Sequence, residues 1–202
     1  MASSTSVIRI RGPPSDPRIY ERYTRWNEVE AAAMHIVKAC DPAKSVVVLD
    51  IDATFLVNDN QSRTCDGARP HRGVQKIYKL ALRRKIAVVF ITARPDFPSN
   101  RSWTLRQLVC VGAQGAAALY MCPSNIRSVA GISTFKHNAR KTAAEKLNRQ
   151  IVLCVGDAWT DHTRVPSDAA LNSLRGAADR GYWLFQSAEP HTDYCLKLPA
   201  ER

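Results

Sequence analysis

Apolar residues in this chain gather into short unbroken runs, each stopped by polar residues: 46–49, 86–91, 116–121, 151–155 and 182–185. Runs of this length without alternation predict strands buried on both faces of a parallel sheet. Between them apolar residues recur at helical spacing. Tyr23, Trp26, Val29, Ala33, Ile36 and Val37 predict a helix from Asp16-Pro17, read as N-cap and first position, to about Ala39. Val74, Ile77, Tyr78, Ala81 and Leu82 mark a second helix. A third spans 102–111 with Leu105, Leu108 and Val109 inward, and a fourth spans 135–149 with Ala139, Ala143, Ala144 and Leu147 on one face. Ser167 caps a fifth through about Ala178, and 195–198 give a last short extended piece. The alternation predicts an α/β fold: a doubly wound parallel sheet with helices on both faces. Residues 1–16, broken by Gly12, Pro13 and Pro14, read as an irregular lead-in to a single domain over 17–202.

The polar residues that stop the runs carry the candidate chemistry. The first run ends in Asp50 and Asp52, followed by Thr54; the second ends in Thr92, followed by Arg94; the fourth runs into Gly156-Asp157-Ala158-Trp159-Thr160-Asp161. Ligands of open α/β sheets bind beyond the carboxyl ends of the strands, where these residues fall. Two carboxylates there repel unless a cation or a shared proton compensates, whereas a lone D-x-D is as readily an Asx turn. A hydroxyl with exposed backbone N–H groups at a strand end, as at Thr92, can hold a phosphate oxygen. Lys136, read as opening the fourth helix, opposes the helix dipole and calls for an anionic partner. Converging on one crevice, Asp50, Asp52, Thr92, Lys136, Asp157 and Asp161 suit magnesium-assisted phosphoryl transfer through a carboxylate nucleophile. The polar loop 57–71 hangs over the same strand ends, which leaves Asp59, Arg63 and Arg69 between touching a substrate and being simply solvated.

In this order the motifs resemble those of the haloacid dehalogenase-like (HAD) superfamily of phosphohydrolases. Val46–Thr54 is similar to its hydrophobic run and D-x-D-x-T, Val88–Thr92 to its strand ending in a hydroxyl residue, Lys136 to its lysine, and Gly156–Asp161 to its G-D-x-x-x-D. A narrower likeness is to the class III, subfamily B group of acid phosphatases and vegetative storage proteins. It is carried by Leu-Asp-Ile-Asp-Ala-Thr-Phe-Leu-Val-Asn, Ile-Thr-Ala-Arg-Pro, the segment from Thr104-Leu105 through Gly112 to Leu119, Phe135-Lys136 with Arg140, Val155–Asp161, and Lys197-Leu-Pro199; Ala53 departs from the Glu or Gly common there. The resemblance implies a HAD-like Rossmannoid fold with little or no cap domain, and a phosphatase that forms an aspartyl-phosphate. It implies Asp50 as nucleophile and Asp52 as proton carrier. It implies Mg²⁺ held by Asp50, Asp157 and the main-chain carbonyl of Asp52, with Asp161 as further ligand or water holder, and Thr92 and Lys136 on the phosphate. Arg94 and Arg140 are left between supporting the phosphate or the acids and forming surface salt bridges.

Composition narrows the partners. At 202 residues with a formal net charge of +11, the chain favours phosphorylated or polyanionic partners. A phosphorylated small molecule or nucleotide is the expected substrate, and nucleic acid stays open as a partner. A phosphatase acting on nucleotides or nucleic-acid ends, and a non-catalytic basic binding protein on a HAD scaffold, are the competing readings. No apolar stretch reaches the length of a membrane span, and residues 1–14 have no signal-peptide core, so a cytoplasmic protein is expected. The six cysteines lack C-x-x-C pairs and read as reduced thiols.

Overall fold

The structure is a computed structural model in which residues 8–11, 19–57, 65, 68–162 and 181–199 are described. Its centre is the first apolar run, which forms a strand with every residue buried (β3, Ser45–Leu49). Val46 and Val48 point to one face of the sheet and Val47 and Leu49 to the other, each into its own apolar cluster. Burial on both faces explains why the run carries no alternation. Each of these side chains contributes about 1.5–3 kcal/mol by leaving water.

The other strands among the described residues are β1 (Ile8–Arg11), β2 (Ile19–Tyr23), β4 (Ala87–Asp96), β5 (Ala118–Pro123), β6 (Gln150–Gly156), β7 (Tyr182–Gln186) and β8 (Thr192–Lys197). They form one eight-stranded sheet in the order β1-β2-β7-β8-β6-β3-β4-β5. The strands from β8 to β5 run parallel, and β7, β2 and β1 continue the sheet antiparallel. Helices α1 (Trp26–Ala39), α2 (Arg72–Arg83) and α3 (Pro98–Cys110) contribute Val29, Val37, Ile77, Tyr78 and Leu108 to the cluster around Val47. Helix α4 (Val129–Leu147) covers the opposite face with Ala139, Ala143 and Ala144. The α/β class and the helices on both faces agree with the sequence.

Several boundaries differ, each for a physical reason. Residues 19–23 are not helical: they pair antiparallel with β7, Tyr20 opposite Phe185, and α1 starts only at Trp26. A free sheet edge outcompetes the helix expected over these residues; Asp16 and Pro17, read as its start, lie outside the described residues. Ile8–Arg11, expected to be irregular, pairs with β2. The strand at 182–186 is antiparallel and β8 takes the parallel place beside β6. Only residues 187–191 join β7 to β8, far too few for a parallel crossover. Helix α4 begins at Val129 because Ser128 caps it, its hydroxyl accepting from the Gly131 N–H at 3.1 Å. Lys136 therefore lies mid-helix, and the dipole conflict inferred for it does not exist. The helix predicted over 167–178 lies outside the described residues.

Two further expectations are overturned. Leu105 and Val109 of α3 are 46% and 51% exposed, while Thr104 and Gln107 face inward. They do so because a buried guanidinium, Arg94, takes their oxygens as acceptors. Cys65 and Cys110 are joined in a disulfide rather than reduced, fastening the loop after β3 to the end of α3; Cys40, Cys122, Cys154 and Cys195 remain thiols. Sequence separation of 45 residues hides that pairing until the sheet and helix bring the two together.

Candidate active site

The parallel strands end on one side of the sheet, and the chain turns sharply at each end. After β3, the Asp50 N–H donates to the Val155 carbonyl at 2.9 Å, so strand pairing holds Asp50 beside the end of β6. A tight turn follows, closed by the Leu56 N–H to the Ile51 carbonyl at 2.8 Å, with Ala53 in the left-handed region at φ 54°. The chain then returns along itself: Val57 N–H to Arg69 O at 2.9 Å and His71 N–H to Phe55 O at 2.8 Å close the base of the polar loop. After β6, Asp161 folds back over Gly156 and its Oδ2 accepts from the Ala158 N–H at 2.9 Å. A Cβ on Gly156 would collide with that Oδ2 and with the Cβ of Asp161, so only glycine admits this turn.

The two turns bring three predicted residues together. Asp50, Asp157 and Asp161 each offer a carboxylate oxygen, and these oxygens lie within 4.8 Å of one another. Lys136 reaches them from α4, its Nζ donating to Asp50 Oδ1 at 2.9 Å and to Asp161 Oδ1. Asp50, Lys136 and Asp161 are all buried. Burial pushes the Asp50 carboxyl well above its ordinary range despite Lys136, and Asp161 and Asp157 add to the rise. Burial and the neighbouring Asp161 raise Asp157 to about 6. Burial opposes the charge of Asp161 too, but Lys136, His162 and the Ala158 N–H together outweigh it and hold this carboxyl below its usual value. Lys136 is likewise held protonated by Asp161 and Asp50 against the cost of its burial. Thr54 donates to Asp157 Oδ1 at 3.4 Å.

Asp52 and Thr92 stand apart from this group. The Asp52 carboxylate is gripped by Arg94, which donates from Nε to Oδ2 at 2.8 Å and from Nη2 to Oδ1 at 2.6 Å. Thr92 Oγ1 lies 3.5 Å from Asp52 Oδ2 and accepts from the Arg94 N–H at 3.2 Å. Arg94 Nη1 donates to Thr104 and Gln107 at 3.1 and 2.7 Å, and the Trp103 ring lies 4.5 Å from its guanidinium carbon. Arg94 is thus no surface cation but the anchor of Asp52. Arg140, the other arginine left open by the sequence, is buried behind the carboxylates. There it binds Glu189 from Nε and Nη2 at 2.8 and 2.7 Å and the Asp161 carbonyl from Nη1 at 2.6 Å. Glu189 was missed, and no sequence signal marks it: it is one acid in the link between β7 and β8. The apolar pattern of α3, with Leu105, Leu108 and Val109 expected inward, gives no sign that Thr104 and Gln107 turn to Arg94. Asp59 and Arg63 lie outside the described residues; Arg69 is exposed.

Three clustered carboxylates offer a hard, oxygen-only donor set of the kind that binds divalent cations such as Mg²⁺ or Ca²⁺. The donors fit such an ion electrostatically as well, since Asp50 and Asp157 are penalised as bare anions and a cation removes that penalty. No protein-family model matches this chain and no curated protein matches its sequence. Among the described residues no helix is long and apolar enough to cross a membrane.

Proposed function

We propose that the chain is a Mg²⁺-dependent phosphomonoester hydrolase of the HAD-like type. The observation that carries this reading is the union of Asp50, Asp157 and Asp161 with Lys136 at the ends of β3 and β6. A divalent cation supported by Asp50, Asp157 and Asp161 supplies charge neutralisation, which lets a phosphate dianion approach an aspartate. Asp50 attacks phosphorus, and the P–O bond to the leaving alkoxide breaks as the aspartyl-phosphate forms. Asp52, partly exposed, enters the step protonated by giving up part of its pairing with Arg94, and passes that proton to the alkoxide. Asp52 then takes a proton from water, whose oxygen attacks phosphorus and releases Asp50 and inorganic phosphate. Lys136 and Thr92 stabilise the charge on the transferring oxygens; Lys136 meets the phosphate by giving up part of its pairing with the two acids.

The test is phosphate release from a small aryl phosphate, with Mg²⁺ or with EDTA, in wild type and Asp50→Asn. Activity confined to wild type with Mg²⁺ is expected; metal-independent turnover, or full activity in Asp50→Asn, would refute the mechanism. Exposed Arg69, Arg72 and Arg127, in or beside the loops that follow β3 and β5, favour a second substrate reading, the phosphorylated end of a nucleic acid. Oligonucleotides carrying 3′- or 5′-phosphate decide between the two. Salt-sensitive oligonucleotide binding without turnover would instead identify a basic binding protein. A cytoplasmic setting belongs to the same proposal. A Cys65–Cys110 bond recovered intact from cells after rapid alkylation would place the protein in an oxidising compartment instead.

A further inference from the structure

Helix α4 sends two cations toward the carboxylates from successive turns. Lys136 meets their oxygens in front, and Arg140, four residues on and 1% exposed, meets their backbone from behind. The Arg140 guanidinium forms four hydrogen bonds. Two run to the Glu189 carboxylate and two to main-chain carbonyls of the turn after β6, Asp161 O at 2.6 Å and Thr160 O at 3.4 Å. The Cys154 thiol adds a second donor to the Asp161 carbonyl at 3.1 Å. With these bonds made, the guanidinium has no face to offer a substrate. We infer that Arg140, braced by Glu189, is instead a positioning residue that aims the Gly156–Asp161 turn so that Asp157 and Asp161 present their carboxylates to a divalent cation. This rests on the reading of the acid cluster as a cation site.

Three features make the brace specific. Asp161 is held at both ends, its carbonyl by Arg140 and its carboxylate by Lys136 and the Ala158 N–H, so its direction is set between two turns of one helix. Glu189 binds Arg140 through both oxygens and also meets His137 Nδ1 at 2.9 Å. That ties the link between β7 and β8 to the same helix. Planarity matters too: one guanidinium forks to a carboxylate on one side and to carbonyls on the other, which a lysine ammonium cannot reproduce.

A merely structural ion pair and a positioning brace respond differently when the pair is removed whole. In Arg140→Met with Glu189→Met no buried charge is orphaned, so the fold is retained with a thermal midpoint near that of wild type. The measurement is Mg²⁺ alone titrated into the EDTA-treated full chain, followed by tryptophan fluorescence and by thermal midpoint. Trp159 lies within the braced turn, and Trp159→Phe assigns the signal. The expected result is an apparent Mg²⁺ affinity about 10–100-fold weaker in the double variant, the usual loss when an outer-shell partner is removed. Arg140→Lys, which keeps the charge and loses the fork, is expected to weaken it as well and serves if the double variant fails to fold. Wild-type Mg²⁺ affinity in these variants would overturn the inference and leave the reading of the site intact. A wild-type chain that binds no Mg²⁺ would overturn both.

Discussion

Asp157→Asn should make the metal-free protein more stable at neutral pH. Asp157 holds its proton to about pH 6 in the folded chain, against an ordinary value of 3.8, first because it is buried and next because Asp161 is beside it. At pH 7 the folded protein carries this unfavourable anion and the unfolded chain does not suffer from it. About two pH units at about 1.36 kcal/mol each give an upper bound of about 3 kcal/mol. Solvent still reaches the partly exposed carboxylate, which reduces the gain from asparagine to about 1–2 kcal/mol. Asparagine keeps the oxygen that accepts from Thr54 and loses only the charge. Between pH 3.8 and about 6 the folded wild type binds more protons than the unfolded chain, so its stability falls as pH rises through that window. The advantage of the variant is therefore complete above pH 6 and gone below pH 3.8. Thermal melts in EDTA should show a midpoint about 2–8 °C higher for Asp157→Asn at pH 7, shrinking steadily toward pH 4.5. Added Mg²⁺ should raise the wild-type midpoint and move the variant less. A variant no more stable than wild type at pH 7, or a gain that does not shrink with acid, would refute the electrostatic account of the site.

Gly156→Ala drives a Cβ into Asp161, so it should cost about 1–3 kcal/mol and weaken Mg²⁺ binding in a fluorescence titration. Arg94→Met removes the guanidinium bonds to Asp52, Thr104 and Gln107; it should cost about 2–4 kcal/mol in chemical denaturation and lower kcat more than it alters KM. Ala53→Gly relieves a left-handed alanine and should add about 1 kcal/mol at equilibrium unfolding, since glycine takes φ 54° without strain. Under non-reducing denaturation four thiols should react rather than six. Reduction should then lower stability by about 3–4 kcal/mol, from the loop entropy released in the unfolded chain.

Features written in local pattern were legible from the residues alone. Unbroken apolar runs require burial on two faces, which yields the central parallel strands and helices on both sides. The abrupt stops at Asp50, Thr92 and Gly156-Asp157 mark the strand ends where a site forms in such sheets. Asp50 and Asp161 were legible because each follows an apolar run at such an end; Lys136 was named by a dipole argument that does not hold and by the family resemblance, and α4 carries it to the acids from mid-helix. Packing decided what depends on partners far along the chain. Residues 19–23 became a strand because β7 offered an open edge, and 182–186 ran antiparallel because five residues cannot carry a crossover. Arg94 turned to Asp52 and drew Thr104 and Gln107 inward, leaving Leu105 and Val109 in solvent. Arg140 went behind the acids to meet Glu189, 49 residues away, and Cys65 met Cys110. Local pattern records which residues must leave water; the direction in which a buried charge points depends on which opposite charge the finished fold places beside it.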